Sequence, residues 1–322
     1  MKLIIQIPCY NEAQTLAIAL ASLPREVAGF DKVEWLIIDD GSKDDTVEVA
    51  KRCGVDHIVS HTQNQGLARA FMTGINACLA LGADVIVNTD ADNQYEAADI
   101  PALVQPILDG TAEIVVGARP IAEIEHFSPV KKFLQHLGSS VVRIASETDI
   151  PDAPSGFRAM SRAAAAQLIV YNRYTYTLET IIQAGQSGIP ITSVPVRVNE
   201  DLRPSRLVKS IFSYITRNIF TIFRIFVLYR PFLFFMTIGT VLFLFGMGIS
   251  VRFLLYYFSG DGDGHVQSLI LGAVLLSGGA GTWLIAVISS LLASNRRLLE
   301  EIRFTQNINS RKTVPHLWSR QR

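Results

Sequence analysis

The chain has almost no charge imbalance: 29 Lys and Arg stand against 29 Asp and Glu in 322 residues. A general nucleic-acid binder needs a basic surface to displace counterions, so no nucleic-acid partner is expected. Cysteine is scarce. Cys9, Cys53 and Cys78 lie far apart with no Cys-x-x-Cys pair, so they read as reduced core thiols, not a disulfide framework or thiolate metal site. A signal-like stretch is missing too. The apolar run in MKLIIQIPCYNE is too short for a signal core and meets a polar turn at once, so the first domain is expected to stay unexported. Charged residues make up only 18% of the chain and hydrophobic ones 49%, which directs attention to membrane segments.

What is present falls into two parts. Residues 1–204 alternate apolar, β-branched runs with helical patterns. Strands are expected at Leu3–Ile7, Trp35–Ile38, His57–Ser60, Asp84–Asn88 and Ile114–Gly117, and helices near Ala13–Ser22, Asp44–Cys53, Gln65–Leu81 and Ile100–Leu108. That rhythm predicts an α/β domain with a mostly parallel sheet. Ligands bind beyond the carboxyl ends of such strands. The polar clusters fall there: Tyr10-Asn11-Glu12, Asp39-Asp40-Gly41-Ser42 and Asp90-Ala91-Asp92.

From residue 205 the physics changes. Over 205–230, Lys209, Arg217 and Arg224 recur at a spacing that keeps them on one helical face, which suits an amphipathic helix in the membrane interface. Two apolar stretches follow within 231–294, Pro231–Phe258 and Val266–Ala293, each long enough to cross a bilayer. The turn between them carries acids and no Lys or Arg. Arg217, Arg224 and Arg230 precede the first stretch, and Arg296, Arg297 and Arg303 follow the second. The positive-inside rule therefore puts both ends, and the first domain, on the cytoplasmic side; a bacterial or archaeal plasma membrane is expected. Arg252 is expected to snorkel near the outer end. Gly272, Gly278, Gly279 and Gly281 are candidates for close helix approach, and a homo-oligomer is compatible with such a hairpin. The basic tail, 295–322, is expected to be loosely ordered toward its end.

Asp90-Ala91-Asp92 follows a buried strand, with Gln94 two residues on. If the segment is extended, Asp92 and Gln94 face one point, where their hard oxygens suit Mg²⁺ or Mn²⁺ with diphosphate completing the shell. A carboxylate from Asp39 or Asp40 can accept hydrogen bonds from a nucleobase or ribose. Asn64 to Ala70 opens a helix whose glycine serves either anion approach or capping. Arg119, past the fifth strand, and Arg158, in Ser155-Gly156-Phe157-Arg158, can meet phosphates in bidentate fashion, with Lys131 and Lys132 adding charge. Glu179 reads equally as a sugar ligand or a helix-surface acid.

These motifs, in this order, resemble family 2 glycosyltransferases of the GT-A fold, in the branch of dolichol-phosphate mannose synthases and bacterial polyprenyl-phosphate glycosyltransferases. The resemblance rests on Pro8-Cys9-Tyr10-Asn11-Glu12, Asp39 to Ser42, Asn64 with Gly66, Ala70 and Gly74, Asp90 to Gln94, Gly117-Ala118-Arg119, Ser155 to Arg158 and the terminal hairpin. It implies that Pro8, Tyr10, Glu12 and Asp39 surround the nucleotide. Asp90 approaches the donor ribose or diphosphate, and Asp92 and Gln94 hold the metal. Arg119 with Lys131–Lys132 receives the acceptor phosphate, and Arg203 and Arg206 belong to a mobile segment that closes over the donor. Asn93-Gln94-Tyr95-Glu96 stands where mannose synthases often carry Phe-Gln-Asp, and Lys132 with Gln135 or His136 stands where their acceptor loop usually has Arg and Ser. No Gln-x-x-Arg-Trp segment is present, unlike processive cellulose- or hyaluronan-type synthases. The implied reaction is inverting transfer of a hexose from a nucleotide-sugar, UDP-glucose or GDP-mannose, to polyprenyl phosphate. A different lipid acceptor and a non-catalytic nucleotide-sugar-binding adaptor are the alternatives.

Overall fold

The computed structural model describes residues 1–120, 139–140, 142–143, 146–170, 176–199, 223–224, 227, 229–260, 266–309 and 317–319, without side chains at 296, 297, 300–309, 317 and 319. Lys131, Lys132, Arg203, Arg206, most of the expected interfacial helix and the turn at 261–265 lie outside the described residues. The chain divides into two units, Met1–Asn218 with Arg303–Arg322, and Ile219–Ile302.

In the first unit, β1 (Lys2–Cys9) and β2 (Lys32–Asp39) are buried at every position after their first. Strands covered on both faces read as continuous apolar runs. Alternation within β1 still divides the core. Leu3, Ile5 and Ile7 face one cluster with Leu16, Leu20 and Leu103, while Ile4 faces another with Phe71, Ile75 and Ile86. Helices α1 (Leu16–Ser22), α2 (Thr46–Arg52) and α4 (Ile100–Leu108) supply the first layer, and α3 (Leu67–Ala80) the second.

With β3 (His57–Ser60), β4 (Val85–Asn88), β5 (Ile114–Ala118), β6 (Arg158–Ser161), β7 (Ile191–Pro195) and β8 (Leu317–Ser319), the sheet runs β7-β5-β6-β4-β1-β2-β3-β8. Strand β6 is antiparallel to β4 and β5, and β8 is antiparallel to β3; the other pairs are parallel. The chain moves outward from β1 to β2 and β3, then returns to β1's other side for β4. This reversal opens a crevice above the carboxyl ends of β1 and β4. Helices α5 (Arg162–Gln167) and α6 (Thr177–Gln186) also belong to this unit. The strand at Leu317–Ser319 corrects the expectation of a loose tail end, because its backbone pairs with Val59, Ile58 and His57 at the sheet edge.

At the opposite end of the strands, buried Glu34 binds Lys2 at 2.7 Å, Lys32 at 2.5 Å and His57 at 2.9 Å. Burial alone would raise the Glu34 pKa, but these three hydrogen-bonding partners outweigh it and hold the group down at about 2. A carboxylate lowered on folding stabilises the fold above its unfolded pKa, and that contribution fades as pH falls toward the folded value. Glu34→Gln is therefore expected to lower stability at pH 7 by about 1–2 kcal/mol. Melting curves of variant and parent should converge as pH falls from about 4.5 toward 2.

The second unit contains α7 (Pro231–Phe258) and most of α8 (Val266–Asn309). Pro231–Phe258 and Val266–Asn295 are long and apolar enough to cross a membrane. Their outward residues are bare, as with Phe258 at 81% exposure. Between them the backbones approach closely. A Cβ on Gly239 would lie 2.9 Å from the Gly279 carbonyl, and one on Gly246 would lie 3.0 Å from that of Gly272. Trp283 packs on Phe243 with ring centroids 4.7 Å apart and donates to Thr240 at 3.3 Å. Of the four expected approach glycines, Gly272 and Gly279 stand at this contact, while Gly278 and Gly281 face open space. Arg252 lies over the Tyr256 ring.

Candidate active site

Two loops at the carboxyl ends of β1 and β2 are tied together. Asn11, in the left-handed region at φ 55°, donates its N–H to Ser42 Oγ at 2.8 Å and accepts from Lys43 N at 2.8 Å. Glu12 N donates to Thr46 Oγ1 at 2.9 Å. Asp39 Oδ1 accepts from Ser42 N at 3.0 Å. These bonds hold Tyr10, 39% exposed, and Glu12 beside the β2 turn, with Pro8 within β1.

Asp40, expected to face the nucleotide, is directed elsewhere. Its carboxylate accepts from the N–H groups of Gln65 at 2.9 Å and Gly66 at 2.8 Å, and pairs with His61 Nδ1 at 2.7 Å. Its described contacts therefore fasten the β3–α3 loop, while Asp39 remains beside the β1 loop.

Beyond β4 the chain is a turn, not the extended segment that would aim alternate residues alike. Asn93 sits at φ 59°, and the Gln94 N–H reaches Asp92 Oδ1 at 3.3 Å. The reason is local: Asn tolerates the left-handed region, and an Asx-type bond closes the turn. Asn199 braces it by donating to the carbonyls of Asn93 at 3.0 Å and Tyr95 at 3.3 Å, just before the segment that carries Arg203 and Arg206.

Asp90 records the electrostatics of the crevice. Desolvation, with repulsion from Asp92 and Glu12 and against the opposing pull of Arg119 and Arg158, raises its pKa to about 7. A carboxylate with two like charges nearby marks a place poised for a cation. Among the described residues no three His, Cys, Asp or Glu side chains form a metal cluster. The donor chemistry nevertheless fits Mg²⁺ or Mn²⁺, which take one or two carboxylates and complete their shell with phosphate oxygens.

Arg119 enters this field as a fixed charge. Its Nε and Nη2 bind Asp152 at 2.7 and 3.0 Å. Burial works against its charge, but Tyr95, Asp152 and Asp90 together raise its pKa. Arg158, expected to meet a phosphate, is instead 0% exposed. It donates to the carbonyls of Ser155 and Ala153, each at 2.8 Å, and to Thr180 Oγ1. Its long apolar stem and forked head pin the 153–156 loop from within. Burial lowers its pKa to about 10. Glu179, read as a sugar ligand or a surface acid, is 5% exposed in the first turn of α6 and is not a surface residue.

Residues that sequence reasoning passed over form the floor. Gln6 donates to Asn88 Oδ1 at 2.9 Å, and Asn88 Nδ2 donates to the Gly156 carbonyl and the Tyr176 hydroxyl, each at 2.8 Å. Tyr95 OH accepts the Gly156 N–H at 3.0 Å. A polar Gln6 inside an apolar strand was the one legible hint. Both backbone groups of Gly156 are thus fixed, and an added Cβ would lie 3.0 Å from Asp90 Oδ2 and 3.0 Å from Tyr176 OH. Gly156→Ala should therefore displace Asp90 and lower turnover by about 10–100-fold, with a loss of about 1–2 kcal/mol in stability. Steady-state kinetics and thermal unfolding read the two separately.

The sheet order and the crevice describe a GT-A glycosyltransferase fold, which two long apolar helices follow in the chain. The model of "Glycosyl transferase family 2" matches residues 4–169, just over half of the chain. The chain belongs to that family. It is 30% identical over 213 residues to a UDP-N-acetylglucosamine–dolichyl-phosphate N-acetylglucosaminyltransferase of Methanococcus voltae, covering 59% of this chain and 83% of that one. It is 28% identical over 218 residues to an undecaprenyl-phosphate mannosyltransferase of Micrococcus luteus, covering 64% and 88%. Among solved structures, glucosyl-3-phosphoglycerate synthase of Mycobacterium tuberculosis with Mn²⁺, UDP and glucosyl-3-phosphoglycerate shares the fold at TM-score 0.54 and 20% identity, covering 70% of this chain and 78% of that one.

Proposed function

We propose that this glycosyltransferase is membrane-anchored and moves a hexose from a nucleotide-sugar to polyprenyl phosphate, with inversion, at the cytoplasmic face of a bacterial or archaeal plasma membrane. The observation that carries the reading is the acidic turn beyond β4, closed by the Gln94 N–H on Asp92 Oδ1, in which burial first, and then repulsion from Asp92 and Glu12, raises Asp90 toward neutrality. Polyprenyl- and dolichyl-phosphate acceptors in the names of the relatives supply the acceptor class. Those relatives move different sugars, so UDP-glucose and GDP-mannose both remain candidate donors.

In this reading Pro8, Tyr10, Glu12 and Asp39 surround the nucleotide, and Asp90 accepts from the ribose or borders the diphosphate. Asp92 and Gln94 would hold one Mg²⁺ or Mn²⁺, which offsets charge on the leaving nucleoside diphosphate. Arg119, held by Asp152, presents a fixed cation to the acceptor phosphate, with Lys131 and Lys132 as its partners; Arg203 and Arg206 close over the donor. Arg158 is given no contact with substrate. The acceptor is a phosphate monoester whose second ionisation lies near pH 6 by analogy with phosphorylated side chains, so it arrives as an anion and needs no strong base. The chain's work is to align it in line with the anomeric carbon and hold two phosphates together despite their repulsion.

Two features support placing both ends of the hairpin on one side of the membrane. Arginines flank it while its turn has no Lys or Arg. The chain also re-enters the catalytic sheet as β8 after the second apolar helix.

The test is a panel of UDP-glucose, GDP-mannose and UDP-N-acetylglucosamine with a short polyprenyl phosphate, the matching polyprenol and diacylglycerol, followed by mass. Sugar transfer to the phosphate alone is expected. Transfer to diacylglycerol alone, or none with any pair, would overturn the proposal.

A further inference from the structure

The Asp40 carboxylate points away from the crevice, and its partner His61 takes part in no step of the proposed reaction. The ring is bound at both ends: Nδ1 lies 2.7 Å from Asp40 Oδ1 and Nε2 lies 3.0 Å from Thr73 Oγ1. Its backbone N–H donates to the Asp39 carbonyl at 2.8 Å. Since an ionised carboxylate only accepts, Nδ1 carries a proton. Nε2 then accepts the Thr73 hydroxyl proton when the ring is neutral, and the bond persists with reversed polarity in the imidazolium.

This brace joins three pieces of chain. Asp40 follows β2, Thr73 lies on α3, and the loop between them is clamped where Asp40 takes the Gln65 and Gly66 N–H groups. The loop also presses on the β2 turn. Gly41 is at φ +74°, and a Cβ there would come within 2.6 Å of the Gln63 carbonyl carbon and 2.8 Å of Asn64 N. The exposed residues Asn64 and Gln65 are therefore held against the Gly41 turn that follows Asp39 by a buried polar linkage, not by loop propensity.

We infer that His61 is a positioning residue for the donor: by bracing Asp40 against Thr73 it fixes the 62–66 loop as one wall of the nucleotide pocket. The inference rests on reading this crevice as a nucleotide-sugar site. It separates affinity from chemistry, because the loop is tied to the Asp39–Gly41 turn, through the His61 N–H on the Asp39 carbonyl and the close approach at Gly41. Loosening the brace weakens nucleotide binding and leaves the bound donor's reactivity largely intact.

The experiment titrates UDP and GDP, each with Mn²⁺, into full-length protein in detergent, for the parent, His61→Ala, His61→Asn and Thr73→Val. Donor KM and kcat are measured alongside. For the nucleotide the parent prefers, His61→Ala should weaken binding and raise donor KM about tenfold, with kcat changed less than about threefold. His61→Asn, which keeps a donor near the Nδ1 position, should recover most of that loss. Thr73→Val, which cuts only the far arm, should fall between. Unchanged nucleotide affinity in folded His61→Ala and Thr73→Val would overturn the inference and leave the functional reading intact. So would a fall in kcat alone, or a loss of thermal stability without any change in affinity. A parent that binds neither UDP nor GDP would overturn the functional reading itself, and the inference with it.

Discussion

Asp92→Asn should lower sugar transfer by about 10³-fold while the protein folds as before. The substitution keeps the shape and removes one negative charge. Asp92 is a partner in the repulsion that raises Asp90, so the variant's Asp90 should ionise at lower pH than the parent's. The apo variant should melt no lower than the parent, since like charges in a half-buried turn oppose folding. Loss of turnover together with equal or higher thermal stability is the signature of a residue held for chemistry at a cost in stability. Turnover within about tenfold of the parent would remove Asp92 from the metal assignment.

Arg158→Ala is expected to cost about 3–5 kcal/mol. The side chain is fully buried, and truncation leaves the Ser155 and Ala153 carbonyls and the Thr180 hydroxyl without its guanidinium. It also removes a cation that faces Asp90 and Asp152. Arg158→Lys keeps the charge but cannot fork to both carbonyls and the hydroxyl at once, and should recover less than half of the loss. A phosphate-binding arginine would behave differently: its removal would raise the acceptor KM while stability changed little. Thermal unfolding beside acceptor kinetics separates the two roles.

The difference between these two arginines shows where sequence reading stops. Arg119 and Arg158 carry the same chemistry and both lie near strand termini. What separates them is strand direction. β6 runs antiparallel between β4 and β5, so its first residue, Arg158, pairs with Asn88 at the carboxyl end of β4 and turns inward. That pairing is non-local, and a four-residue strand opened by a charge carries no periodic signal of its own. The five apolar strands were legible because burial on both faces writes itself into composition. β8 was not, since three residues at an edge gain their order from β3. The acidic turn was legible in residue type but not in shape. Asn93 in the left-handed region replaces the extended geometry that alternation assumed. Asp40 could not be told from Asp39 for a similar reason: one ends β2 and the other follows it, and only the β3–α3 loop, distant in sequence, decides which of them it occupies.

In the proposed site a divalent cation at Asp92 and Gln94 and a nucleoside diphosphate bordered by Glu12, Asp39 and Asp90 complete each other. Calorimetric titration of UDP and GDP into the full-length protein, with Mn²⁺ and then with the metal chelated, tests it directly. One nucleotide should bind at least about tenfold more tightly with Mn²⁺, and Asp92→Asn should abolish the difference. Equal affinity with and without the metal in the parent protein would contradict it.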